Sequence, residues 1–77
     1  MNTLQRATGL YKASEWINNV RKPNGAKSVQ RTETQAALEM VFGYKHVMTA
    51  DFMHELADLV NGEYIVPKKG EAHIKFS

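Results

Sequence analysis

Between Leu10 and Val20 the apolar residues Ala13, Trp16, Ile17 and Val20 recur at i, i+3, i+4 and i+7. That spacing gathers them on one face of a helix over about residues 11–20. Trp16 carries the largest apolar surface in the chain and is the expected core anchor. Asn18 and Asn19 weaken the last turn, and Pro23 enforces a stop. A second helix is predicted over 32–42. Thr32 stands as its N-cap with Gln35 three residues on, and Glu33 lies in the first turn where the helix dipole favours a negative charge. Ala37, Met40 and Val41 form its apolar stripe, with Ala36 and Leu38 at the edges and Gly43 closing it. A third helix over 49–61 has the clearest period in the chain, with Phe52, Met53, Leu56, Leu59 and Val60 on one face. Thr49 caps its start and Asn61-Gly62 ends it in left-handed backbone.

After Gly62 the period shifts from helical to extended. Tyr64-Ile65-Val66 and His73-Ile74-Lys75-Phe76 are β-favouring runs joined by Pro67-Lys68-Lys69-Gly70. In the second run Ala72, Ile74 and Phe76 alternate with His73, Lys75 and Ser77, the pattern of a half-buried strand. Between the first two helices, Arg21–Arg31 contains the turn signal Pro23-Asn24-Gly25, and residues 27–30 are candidates for a short extended piece. The fold class is therefore α+β, three helices with a C-terminal β-hairpin, winged-helix-like. The chain's 77 residues fit a single small domain, with 1–9 as a loose lead-in or short first strand.

Composition narrows the chemistry. There is no cysteine, so neither a disulfide framework nor a thiolate metal site is expected. The first residues lack the apolar run of a secretory signal, and no stretch approaches the roughly 18 apolar residues of a membrane helix. The expectation is a cytoplasmic protein with no membrane association. The net charge of +2 conceals a strong segregation. Residues 1–31 carry an excess of +5, residues 32–61 an excess of −4, and the tail +1. Such a chain can present one basic and one acidic face.

The basic residues name a nucleic-acid reading. Lys68 and Lys69 at the hairpin tip would meet phosphates as point charges, and Arg21, Lys22, Lys27 and Arg31 would add contacts from the loop. The third helix argues against base reading. Its polar set is Asp51, Glu55 and Asp58, with only His54 and Asn61 suited to base edges. The basic loop and wing are thus expected to lead, with double-stranded DNA as the partner and the third helix mainly structural. Gly9-Leu10-Tyr11-Lys12-Ala13-Ser14-Glu15-Trp16, followed by the basic stretch and Thr32-Glu33-Thr34, resembles the opening of KilA-N-type domains. These are small α+β DNA-binding modules of phages and large DNA viruses. The resemblance spans about the first 40 residues, and Trp16 precedes the basic segment here rather than following it. It implies DNA binding and transfers no site residue.

No enzyme, cofactor or metal is expected. His46, His54 and His73 lie on three different elements without ligand spacing, and Ser14 and Ser28 lack spaced partners for a nucleophile. Gly25-Ala26-Lys27-Ser28 lacks the glycine content and preceding strand of a phosphate-binding loop. The alternative to DNA binding is a protein-binding modulator, such as a phage or mobile-element inhibitor. It would use the acidic face Glu39, Asp51, Glu55 and Asp58, or the edge of the last strand. Tyr11, Tyr44 and Tyr64 are its candidate anchors. A homodimer through the third helix or the terminal strand fits either function.

Overall fold

The computed structural model describes residues 3–43 and 48–77. Three helices and three short strands follow in the order α1 (Thr3–Trp16), β1 (Ser28–Gln30), α2 (Arg31–Phe42), α3 (Ala50–Leu59), β2 (Gly62–Ile65) and β3 (His73–Phe76). The strands form one antiparallel sheet in the order β1-β3-β2. This helix–strand–helix–helix–hairpin arrangement is winged-helix-like, with residues 66–72 as the wing.

The first helix departs from expectation at both ends. It starts at Thr3, so Thr3–Gly9 is helix rather than lead-in, and Gly9 is buried within it. Thr8 Oγ1 donates to the Leu4 carbonyl at 2.9 Å, the back-bond that lets a hydroxyl side chain sit inside a helix. At the C-terminal end Ile17–Arg21 widens into a π-type turn, with Lys22 N–H donating to the Ile17 carbonyl at 2.9 Å. A wider turn puts more residues into each revolution, so the phase slips. Ala13 and Ile17 are buried as the period predicts, while Val20 is rotated out to solvent. Trp16 lies only half-buried at the core margin, and Phe52 and Ile17 are the largest fully buried side chains.

The second helix begins one residue earlier than predicted, and Gln30 rather than Thr32 is its cap. The Glu33 carboxylate accepts the Gln30 N–H at 3.3 Å, completing the capping arrangement. The stripe is differently phased too. Thr34 and Leu38 are buried, whereas Ala36 is exposed and Met40 is 86% exposed. Thr34 satisfies its hydroxyl on the Gln30 carbonyl at 3.1 Å and so can enter the core. A purely apolar pattern misses such a residue. The side chain of Val41 lies outside the described residues, as do Tyr44 and His46.

In the third helix the prediction holds closely. Thr49 Oγ1 accepts the Phe52 N–H at 3.3 Å, and Phe52, Met53, Leu56, Ala57 and Val60 are buried. Leu59 instead faces out. Asn61 takes φ 54°, the left-handed step that releases the chain into β2. Gly62 follows because the hairpin closes tightly there: a Cβ would lie 2.7 Å from Ile74 Cγ2 and 2.9 Å from the Lys75 carbonyl oxygen.

The sheet has two distinct faces. Val29, Ile74 and Tyr64 are in register across the three strands and point to the helices, Val29 and Ile74 fully buried. The neighbouring rows, Ser28–Lys75–Glu63 and Gln30–His73–Ile65, therefore point the other way. Because β3 lies between β1 and β2, it has no free edge. Pairing of the terminal strand with another chain is thus excluded, since both of its hydrogen-bonding sides are used.

Candidate nucleic-acid interface

The six cations singled out in the sequence do not all serve one surface. Arg31, Lys68 and Lys69 belong to the wing end. Lys68 and Lys69 are exposed in the 66–72 loop, whose reversal places Gly70 at φ 97°. That loop is tied to the start of α2 by two hydrogen bonds. Arg31 N–H donates to the Ala72 carbonyl at 3.0 Å, and Thr32 N–H donates to the Glu71 carboxylate at 3.2 Å. A carboxylate on an otherwise unsatisfied first-turn N–H is favoured by the helix dipole. The wing is therefore anchored beside the half-buried Arg31.

Between the wing and β1 lies an open cleft of about 390 Å³, lined by Ser28, Gln30, Pro67, Lys69, Gly70, Glu71 and His73. His73 Nδ1 lies 2.9 Å from the Glu71 carbonyl oxygen. A carbonyl can only accept, so Nδ1 carries the proton and Nε2 is left as the second ring nitrogen. The lining mixes apolar surface with hydroxyl, amide, imidazole and ammonium groups and the Glu71 carboxylate. Sequence reasoning missed Ser28, Gln30 and His73 as neighbours, because only the strand order β1-β3-β2 brings 28–30 beside 73–75.

Lys22 and Lys27 lie at the other end of the sheet beside Phe76, while Arg21 reaches the first turn of α2. Arg21 pairs with Glu33 at 3.1 Å and its guanidinium carbon stands 5.8 Å from the centre of the Trp16 ring. Lys22 donates from Nζ to the Val60 carbonyl, closing the end of α3, and lies 5.1 Å from the centre of the Phe76 ring. Both side chains are half-buried and committed to the fold. Lys27 is exposed, and its carbonyl accepts the Phe76 N–H at 2.9 Å. Lys75, exposed on the outer sheet face opposite Ser28 and Glu63, was not singled out. The strand alternation that set Ile74 inward already pointed it outward.

The exposed side of α3 carries Asp51, His54, Glu55 and Asp58. His54 packs edge-on against Tyr64 with ring centres 5.1 Å apart. Glu55 accepts from Arg6 of α1 at 2.6 Å. The Arg6 guanidinium holds the Glu55 carboxyl below the usual carboxylate range, and Glu55 in turn raises Arg6. Among the described residues no group of three or more His, Asp or Glu is placed to hold a metal ion, and no helix is long and apolar enough to cross a membrane.

Comparison of the chain with family models, with curated proteins and with solved structures finds no match. The likeness of the first 40 residues to KilA-N-type domains thus gains no family match, and what stands is a winged-helix-like fold in general.

Proposed function

We propose that this domain is a small DNA-binding, transcription-regulating protein that grips the phosphate backbone with its wing side and has no catalytic role. The observation that carries the reading is the segregation of exposed charge on a winged-helix-like frame. Lys68, Lys69 and the half-buried Arg31 lie at the wing end, Lys27 and Lys75 continue across the sheet beside the carboxylate of Glu63, and Asp51, Glu55 and Asp58 lie on α3. In this reading Arg21 and Lys22 support the interface by tying α1 to α2 and the end of α3 to β3.

Phosphate contacts give affinity without base specificity and make it steeply salt-dependent. Fluorescence anisotropy with a generic duplex at about 50 mM and about 200 mM salt tests this. Binding should weaken steeply between the two, and Lys68→Ala with Lys69→Ala should weaken it on every duplex and reduce the salt slope by about 2. No binding at about 50 mM salt with protein at about 100 μM overturns the reading.

A further inference from the structure

On the side formed by α1 and α3 lies an open groove of about 360 Å³ lined by Ala7, Leu10, Tyr11, Glu55, Asp58 and Leu59. Its floor is the buried Leu10 and half-buried Ala7. Its walls are two hydrophobic side chains left in solvent, Tyr11 from α1 at 64% exposure and Leu59 from α3 at 46%. Leu4, seven residues before Tyr11 and so on the same helical face, is 75% exposed and extends the apolar strip. Scattered exposed apolar residues need no explanation, but Tyr11 and Leu59 flank one concavity, with Leu4 further along the same helix.

The charge around the groove selects its occupant. Glu55 and Asp58 form one rim, Asp51 stands a turn earlier on the same side of α3, and Glu15 lies one turn beyond Tyr11 on α1. The guanidinium of Arg6 is already committed to Glu55. A phosphate backbone would be repelled here. A second copy related by a two-fold axis would bring the Glu55–Asp58 rim against itself, and like charges facing across an interface are unfavourable. The basic loop of a second copy would make a head-to-tail contact, which builds a ring or an open filament instead of a closed pair.

We infer that the α1–α3 groove is a docking site for a protein partner, one that presents an amphipathic helix with apolar residues on one face and lysines or arginines flanking them. An apolar anchor of that helix enters between Tyr11 and Leu59 over Leu10, and its basic residues meet Asp58 and Asp51. Helix-in-groove recognition uses this combination of i, i+3, i+4, i+7 anchors and flanking charge. The volume lies at the low end of the roughly 300–1,000 Å³ of ligand sites, which suits one or two anchor side chains. The contact surface is separate from the wing, so DNA and the partner can be held at once.

The test uses isotope-labelled protein and a synthetic helical peptide with leucine at i, i+3, i+4 and i+7 and lysine at the flanking positions. A control peptide carries glutamate in place of every lysine. Backbone NMR shifts should move at Ala7, Tyr11, Asp58 and Leu59 with the lysine peptide and stay unchanged with the glutamate peptide. Leu59→Ser and Asp58→Lys, both at exposed positions and checked for unchanged thermal unfolding, should each weaken peptide binding at least about ten-fold, equivalent to about 1.4 kcal/mol. The same variants should retain their affinity for DNA, and the Lys68/Lys69 variant its affinity for the peptide, so each interface fails independently of the other. No shift at millimolar peptide, equal binding of both peptides, shifts centred on the wing, or insensitivity to Asp58→Lys overturns the proposal. Sedimentation of the free protein as a dimer that Leu59→Ser dissociates also overturns it, assigning the groove to a second copy.

Discussion

The wing side and the α1–α3 side rest on one core but differ in both charge and shape. On the wing side a three-stranded sheet turns its polar rows outward, and Lys68 and Lys69 project from a loop pinned to α2. On the other side two helices leave Tyr11 and Leu59 exposed over a groove rimmed by Glu55 and Asp58. The difference shows how one small domain can offer two unlike surfaces. A strand sends alternate residues to opposite faces, so a solvated sheet face is polar by default. A helix pair leaves a furrow between its axes, and whatever stands beside the buried stripe lines it.

The strongest way to break the comparison is to remove what both sides share. Ile74 is fully buried at the centre of the row that joins the three strands. Ile74→Ala should cost about 2–5 kcal/mol in denaturant unfolding, a large part of the stability of a domain this small. Loss of the sheet alone, with the helices intact by circular dichroism, would show that the two sides fold separately. Gly62→Ala forces a Cβ against Ile74 and the Lys75 carbonyl, and should cost about 1–3 kcal/mol by the same measurement. Because it strains the hairpin directly, it should also weaken DNA binding more than peptide binding. Thr49→Ala removes the cap of α3 and should cost about 1 kcal/mol while leaving the wing unchanged.

The smallest effect concerns Glu55. Arg6 depresses its pKa, so the pair stabilises the folded state above the unfolded carboxylate value, and that contribution disappears as pH falls through the folded value. Thermal unfolding from pH 7 to about pH 3 should therefore show a slight extra loss below about pH 4 that Glu55→Gln abolishes. Both groups are solvent-exposed, which keeps the effect modest. The variant should leave the wing's affinity for DNA intact.

The course of the fold was largely legible in the residue pattern, and most clearly where one physical cause acted alone. Thr49, the 52–60 stripe and Asn61-Gly62 all report helix periodicity and capping, and the structure follows them. The misses have a common origin in competing causes. The π-type turn at Ile17–Arg21 shifted the phase that placed Val20 inside. Thr34 reached the core because its hydroxyl found the Gln30 carbonyl, a local partner that apolar counting ignores. For the candidate interface, charge segregation drew attention to the wing and to residues 21–31, but which of their cations are engaged within the fold could not be read from it. Arg21 and Lys22 meet Glu33 and the Val60 carbonyl only after α2 and α3 fold back on them. The α1–α3 groove was invisible because Leu59 carries the period of a core residue, and its exposure depends on how α1 crosses α3.

The proposed function sets nucleic acid against the wing side and not against α3. Amide shift mapping of the labelled protein with a generic duplex at about 50 mM salt tests it most directly. The largest changes are expected at residues 66–72, Lys27, Arg31 and Lys75, fading as salt rises, with Asp51, Glu55 and Asp58 almost unmoved. Changes concentrated on Asp51–Asp58 with a silent wing would contradict it.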